Sequence, residues 1–234
     1  MHLAFDPGAH AGLFSLPEEE SRHCIKVLRM KPGDAFKITN GAGLIFDATI
    51  LDANPKKLQA ELAAGTKGSD FWSFKLSIGI APTKNSDRLE WFLEKATEIG
   101  VDEVFLFESF HSERRKIKLE RLEKVMIAAM KQSVKSRLPK LYDVQKLSSL
   151  LKLSFDGHRF IAWIDEGVMQ TLVKAASPGH NTFVLIGPEG DFSREEVQEA
   201  KAAGFVPVSL GSSRLRTETA GVAAVHTIQL INQL

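Results

Sequence analysis

The sequence predicts an α/β protein in two parts, a small β-barrel over residues 1–70 and an α/β domain over residues 73–234, and three observations predict it. Short strand-like segments separated by turns fill the first part. The small, polar stretch at 65–70 reads as a linker. From Ser73 onward, apolar runs alternate with segments of helical spacing, the pattern of strands and helices taken in turn. With 234 residues, 44% of them hydrophobic and 25% charged, the chain has ordinary globular usage and enough length for a sizeable core.

The elements follow in order. In PEEESRHCIKVLR, Pro17 stands near a helix start, acids fill the first turn and basic residues gather toward the end, which complements the helix dipole. Strand-like segments at 34–39, 44–52 and 57–64 follow, with an Asn40-Gly41 turn between the first two. An apolar strand spans 76–80. Asp87, with Glu90 three residues on, opens a helix as a capping box, Leu89, Phe92, Leu93 and Ala96 share one face, and Gly100 ends it. A strand at 104–107 leads to a basic segment whose Leu119, Leu122, Val125, Ala129 and Met130 are spaced as a helix. Strands at 160–164 and 183–186 come next, then a helix from Ser193, with Glu196 completing a capping box, that ends at Gly204. The last strand is placed at 206–210, and the last helix begins near Thr219 or Ala220.

Composition and missing motifs exclude several functions. No run approaches the roughly 18 apolar residues of a membrane span. The N-terminus MHLAFDPGAH lacks the basic-then-apolar order of a secretion signal, so a cytoplasmic location without membrane contact is expected. Cys24 is the single cysteine, the seven histidines show no metal-ligand spacing, and HExxH is absent, so no metal is expected. Neither GxxxxGK[ST] nor GxGxxG occurs. The net charge of +1 conceals an uneven distribution. Between His111 and Lys140 stand ten basic and three acidic residues, leaving −6 for the remainder. Such a stripe, which includes Arg114, Arg115, Lys131, Lys135 and Arg137, either follows a phosphate backbone or is a solvated helix face.

The informative stretches lie at the ends of the last two strands. One strand stops at Gly187-Pro188-Glu189-Gly190-Asp191, the other at Gly211 followed by Arg214-Leu215-Arg216-Thr217-Glu218-Thr219. Ligands of open α/β sheets bind outside the carboxyl ends of strands, so two irregular loops there make a pocket, and glycines at 187, 190 and 211 let backbone approach a ligand and permit positive φ. Two ordinary strand-to-helix turns would also favour Gly and Pro.

LIGPEGDFSREEV and PVSLGSSRLRTETAGVAA resemble the signature blocks of the SPOUT-class small-subunit ribosomal RNA uridine-N3 methyltransferases, the RsmE family. HCIKVLRMKPGD with NGAGLIFDATI resembles that family's PUA-like RNA-binding barrel, while LEKATEIGVDEVFLFES and ERLEKVMIAAMKQS resemble its middle blocks, all in colinear order. The resemblance implies a C-terminal SPOUT domain tied in a trefoil knot, a homodimer, and S-adenosyl-L-methionine as cofactor. The cofactor site it implies comprises Trp163, Ile164, Ile186, Gly187, Glu189, Gly190, Leu210, Gly211, Leu215, Thr217, Thr219 and Ala220, with Asp165 beside them. The family commonly has Gly where this chain has Asp191 and Val134, and Arg where it has Ser213, with Arg214 one residue on.

The chemistry of that reaction suggests roles. Uracil N3 carries a proton, so an enzyme must accept it or stabilise the anion. Arg216 suits negative charge on a uracil oxygen or a phosphate. Glu218 suits proton acceptance or orientation of Arg216, or else, with its neighbours, caps the following helix. Arg22, His23, Lys26 and Arg29 fall at spacings that share one helix face, and Lys131, Lys135 and Arg137 form a second patch for ribosomal RNA of the small subunit. A catalytically idle RNA-binding or assembly factor, and an α/β enzyme using another nucleotide, are the alternative readings.

Overall fold

Alternating apolar and polar residues build the first sheet. The computed structural model describes residues 2–70, 72–112, 117–164 and 170–233, so Arg114, Arg115 and Asp165 lie outside the described residues. The chain divides into two units, Met1–Phe71 with Ile127–Leu138, and Trp72–Met126 with Pro139–Leu234. The first contains β1 (Leu3–Phe5), β2 (Gly12–Ser15), α1 (Glu18–Arg22) running into a π-helical turn over His23–Val27, β3 (Ala35–Thr39), β4 (Leu44–Asp52), β5 (Gln59–Leu62) and β6 (Thr66–Lys67). Strand order is β1-β3-β4-β5-β2 with β6 on β4; β1 and β3 are parallel and the other pairs antiparallel. Phe36 and Ile38 of β3, Phe46, Ala48 and Ile50 of β4, and Ala60 and Leu62 of β5 point inward at the two-residue period, onto Leu16, Cys24 and Leu58. Burial pushes the Cys24 thiol up to about 11, leaving it inert as a nucleophile near neutral pH. The β3–β4 turn is held by Asn40, whose Oδ1 accepts from the N–H groups of Ala42 (2.9 Å) and Leu44 (3.2 Å).

The expected linker is instead part of this unit. β6 pairs with β4, and the Asp70 carboxylate accepts from the N–H groups of Ser136 (2.9 Å) and Arg137 (3.1 Å) and from the Ser136 hydroxyl. Small polar residues here serve hydrogen bonding and close approach of backbone, and composition alone does not separate that from a linker. Val134 in the same unit has φ 55°, a left-handed conformation that a β-branched side chain resists by about 1–2 kcal/mol. Val134→Gly is therefore expected to stabilise the protein by about 1 kcal/mol, part of the relief being offset by the freer unfolded chain. Urea denaturation with an unchanged slope would measure it, and a loss of stability would show that the Val134 side chain contributes more than its backbone costs.

The second unit is strand and helix in alternation: β7 (Leu76–Ile80), α2 (Ser86–Ile99), β8 (Glu103–Glu108), α3 (Leu119–Gln132, running from this unit into the first), β9 (Lys140–Lys146), α4 (Leu147–Leu150), β10 (His158–Ala162), α5 (Leu172–Ala175), β11 (Thr182–Ile186), α6 (Arg194–Ala202), β12 (Val206–Val208) and α7 (Thr217–Ile231). All six strands are parallel, in the order β12-β10-β11-β7-β8-β9. β7 and β11 are buried at every position, as central strands of a parallel sheet covered on both faces must be. On one face Phe105, Phe183, Leu185, Phe192, Val197 and Phe205 form a core with Leu147 and Leu150.

Caps mark the helix starts. The Ser193/Glu196 capping box forms in both directions, but α2 is capped by Asn85, whose side chain accepts from the Asp87 N–H at 3.0 Å, and not by a box opening at Asp87. α7 begins at Thr217, earlier than the expected Thr219 or Ala220, and its N-cap Arg216 makes no side-chain capping bond, so the predicted cap within 217–219 does not form. No helix among the described residues is long and apolar enough to cross a membrane.

Candidate cofactor pocket and RNA-facing surface

Where a parallel sheet ends, its strands release irregular loops whose backbone groups are unpaired by the ladder, and these are free to surround a ligand. The loops after β10, β11 and β12 do so here. They enclose a cavity of about 520 Å³, within the range of small-molecule sites, lined by Ala162, Trp163 and Ile164, by Ile186, Gly187, Pro188, Glu189 and Asp191, by residues 209–217, and by Ala220 of α7. Cross-links fix the loops to one another. The Trp163 N–H donates to the Val208 carbonyl at 3.1 Å, and the buried Thr217 hydroxyl donates to the Gly187 carbonyl at 3.1 Å. The Lys84 N–H donates to Glu189 Oε1 at 3.0 Å, tying the loop after β11 to the loop after β7.

Of the residues expected to hold a cofactor, Trp163, Ile164, Ile186, Gly187, Glu189, Leu210, Gly211, Leu215, Thr217 and Ala220 line this cavity, while Gly190 and Thr219 do not. Neither Gly187 nor Gly190 has positive φ; Gly211 does, at 126°. A Cβ on Gly190 would stand 2.9 Å from the His111 Cβ, so this glycine makes room for His111 and not for a ligand. Gly190→Ala is accordingly expected to cost about 1 kcal/mol of stability through overpacking, with cofactor affinity changed less than about three-fold. Calorimetric titration beside thermal denaturation checks it, and a large affinity loss at unchanged stability would reverse the assignment.

The cavity carries charge of both signs: Glu189 and Asp191, Arg214 and Arg216. Asp191 has φ 62° and occupies a position where sequence resemblance leads one to expect Gly, the residue for which that conformation is easiest. Burial pushes its carboxyl above the ordinary carboxylate range. Hydrogen bonds from the Phe192 and Ile164 N–H groups, and the charges of Arg214 and His111, act in the opposite direction without overcoming it. Pro188, Asp191 and Arg214, which stand in the two loops marked by the sequence but outside the expected cofactor set, line the cavity with Ser213, noticed as a departure, and with Ala162, Ser209 and Ser212, to which the sequence reading gave no role.

Arg216 and Glu218 are separated by the helix start. Arg216 is exposed and lines the cavity. Glu218 is buried and does not line it: one oxygen lies 3.7 Å from Arg88 Nε on α2, and the other has no hydrogen-bond partner among the described residues. With helix beginning at Thr217, the Glu218 side chain turns toward α2 and away from Arg216's side of the cavity.

In the first unit, Arg22, Lys26 and Arg29 are exposed on and after α1, with Arg22 paired to Glu18 at 2.5 Å. The two basic patches expected separately belong to this same unit, because Lys131 is ion-paired with Glu20 of α1. That pair is largely covered, so Lys131 is engaged inward, whereas Lys135 and Arg137 are half-buried. Among the described residues no group of three or more His, Cys, Asp or Glu is placed to hold a metal ion.

Comparison with known proteins adds an independent line. The model of an RNA methyltransferase domain matches residues 71–229, and that of an RNA methyltransferase PUA domain matches residues 16–63. The Bacillus subtilis ribosomal RNA small subunit methyltransferase E is 27% identical over 96% of this chain and 92% of its own length. A crystal structure of a probable rRNA-methyltransferase from Porphyromonas gingivalis is 42% identical, covers 100% of this chain and 99% of its own, and superposes with a TM-score of 0.92. The Neisseria gonorrhoeae ribosomal RNA small subunit methyltransferase E, solved bound to S-adenosyl methionine, is 25% identical over 99% of this chain and 98% of its own, with a TM-score of 0.90. Matched in both units and along nearly its whole length, the chain belongs to the RNA methyltransferase family that includes the ribosomal RNA small subunit methyltransferases E.

Proposed function

We propose that this protein transfers a methyl group from S-adenosyl-L-methionine to N3 of a uridine in the 16S RNA of the small ribosomal subunit, acting in the cytoplasm as a homodimer. In this reading residues 1–70 are a PUA-like RNA-binding barrel, and residues 73–234 are a SPOUT-class methyltransferase domain with a trefoil knot. The observation that carries it is the cavity at the ends of β10, β11 and β12 in a chain of this family. Its residues fit the cofactor: Trp163, Ile164, Ile186, Leu210 and Leu215 offer an apolar wall for an adenosine, and Glu189 and Asp191 with Arg214 offer partners for an amino acid's charged ends.

Bound there, S-adenosylmethionine supplies an activated methyl group for in-line displacement, and the protein's share is alignment and charge. Alignment falls to the loops cross-linked through Thr217, Gly187, Trp163 and Val208. Arg216, exposed on the cavity, is assigned to the negative charge that grows on the uracil as N3 gives up its proton. Glu218 is assigned to positioning: it holds the first turn of α7 against Arg88 of α2. Arg22, Lys26, Arg29, Lys135 and Arg137 are assigned to RNA phosphates.

Purified protein is expected to transfer labelled methyl to small subunits from a strain lacking the enzyme, with the label recovered as N3-methyluridine. Label elsewhere, or tight salt-sensitive RNA binding without transfer, would overturn this reading and favour a binding protein. S-Adenosylmethionine at ten times its Kd is expected to stabilise the fold by about 1.4 kcal/mol, a shift that thermal denaturation detects and that other nucleotides leave absent.

A further inference from the structure

A large apolar side chain facing water needs a reason when its backbone is rigidly held. Phe110 is 78% exposed, more than any other large hydrophobic residue described. Yet the turn that carries it, at the carboxyl end of β8, is tied down at each residue. The Phe110 N–H donates to Glu196 Oε1 at 2.8 Å, and the Ser109 hydroxyl donates to Glu196 Oε2 at 3.0 Å. The Ser112 hydroxyl accepts from the Ser109 N–H at 2.9 Å, and the Ser112 N–H donates to the Ser109 carbonyl at 3.0 Å. Glu196 also accepts from the Ser193 N–H at the start of α6, so the turn is anchored to the helix that follows the pocket loop.

The turn also reaches the cavity directly. His111 Nδ1–H donates to the carbonyl of Asp191, a cavity-lining residue, at 3.0 Å, and the His111 side chain packs where a Cβ on Gly190 would stand. The Phe110 ring meets the His111 ring edge-on, with centroids 5.0 Å apart at 82°. An aromatic face is thus presented to solvent one ring away from the cofactor cavity. It lies at the carboxyl edge of the sheet, where a target base must arrive.

We infer that Phe110 is a positioning residue that stacks against an unpaired nucleobase of the RNA substrate, at or next to the uridine to be methylated. The inference rests on the methyltransferase reading above. A base leaving its helical stack loses stacking energy, and an aromatic ring carried on a fixed backbone replaces that energy without the cost of ordering the turn. No base-specific hydrogen bond is required of Phe110; it supplies area and orientation, and selectivity comes from elsewhere.

Steady-state methyl transfer to small subunits from a strain lacking the enzyme tests it, comparing wild type with Phe110→Ala, Phe110→Leu, Phe110→Tyr and Phe110→Trp. Alanine and leucine are expected to raise KM for the subunit about tenfold with kcat within about two-fold, whereas tyrosine and tryptophan stay near wild type. Cofactor Kd and thermal midpoint should be unchanged, because the side chain is exposed and outside the cavity lining. A leucine variant equal to wild type would overturn the inference, since apolar area without a π-face would then suffice. So would tryptophan as poor as alanine, or a change in sedimentation mass for Phe110→Ala, which would make the ring a protein contact. Wild type that fails to methylate the subunit would instead overturn the functional reading itself.

Discussion

Arg216→Ala is expected to lower kcat for methyl transfer about 100-fold while cofactor Kd stays within about three-fold. The size follows from the charge the residue meets. As N3 of uracil loses its proton, negative charge spreads to the ring oxygens, and removing one preorganised donor from such a charge typically costs about 10²–10³ in rate. Arg216 is placed for this by the backbone: it is the N-cap of α7, so its Cα is fixed by the helix that follows, and its exposed side chain lines the cavity. Arg216→Lys should recover part of the loss, because the charge remains while the planar, two-pronged donor is gone. Glu218→Gln is the contrast. Its carboxylate is buried against Arg88 and outside the cavity lining, so kcat should fall by no more than a few-fold and the thermal midpoint only slightly. Equal losses for both variants would mean that Glu218 acts on the substrate, and the positioning role would fall.

This contrast is not legible in the sequence, and the reason is geometric. With the helix start placed at Thr219 or Ala220, Glu218 belongs to a cap and sits beside Arg216. Two or three residues of earlier helix, from Thr217, rotate it by about 100° per residue onto another face. The pocket itself is legible, since Gly-Pro-Glu-Gly-Asp and Arg-Thr-Glu-Thr each follow a strongly apolar run, and ten of the twelve proposed cofactor residues line it. The roles of Ser209 and Ser212 are not, because small polar residues of a loop owe their place at a site to the path of that loop. β9 escapes sequence reading for a related reason. As an edge strand with no position fully buried, Lys140–Lys146 mixes Leu141, Tyr142 and Val144 with four polar residues and shows no two-residue alternation. Central strands such as Leu76–Ile80 are buried on both faces and stand out as apolar runs.

Gly221→Ala is expected to destabilise the protein by about 2 kcal/mol and to weaken cofactor binding about tenfold, though alanine is intrinsically the better helix former. Two effects oppose each other. In an isolated helix the substitution would gain about 1 kcal/mol. Here α7 crosses α2 and β7 with nothing but hydrogen at position 221: an added Cβ would lie 2.6 and 2.7 Å from two ring carbons of Phe92 and 3.1 Å from Ile80 Cδ1. Phe92 and Ile80 are fully buried, so neither ring nor methyl can swing away, and overpacking of this kind costs about 1–3 kcal/mol before any helix shift is counted. The helix must move outward, and its first turn carries Thr217 and Ala220 of the cavity wall and the Thr217–Gly187 hydrogen bond. Packing at one glycine is thereby coupled to a site one turn away. Chemical denaturation and calorimetric titration of the variant read both effects. Adding Phe92→Leu, which vacates the ring carbons, should recover cofactor affinity even where total stability stays low. A Gly221→Ala protein that is more stable than wild type and binds the cofactor normally would show that α7 is not seated as closely on α2 as these distances require.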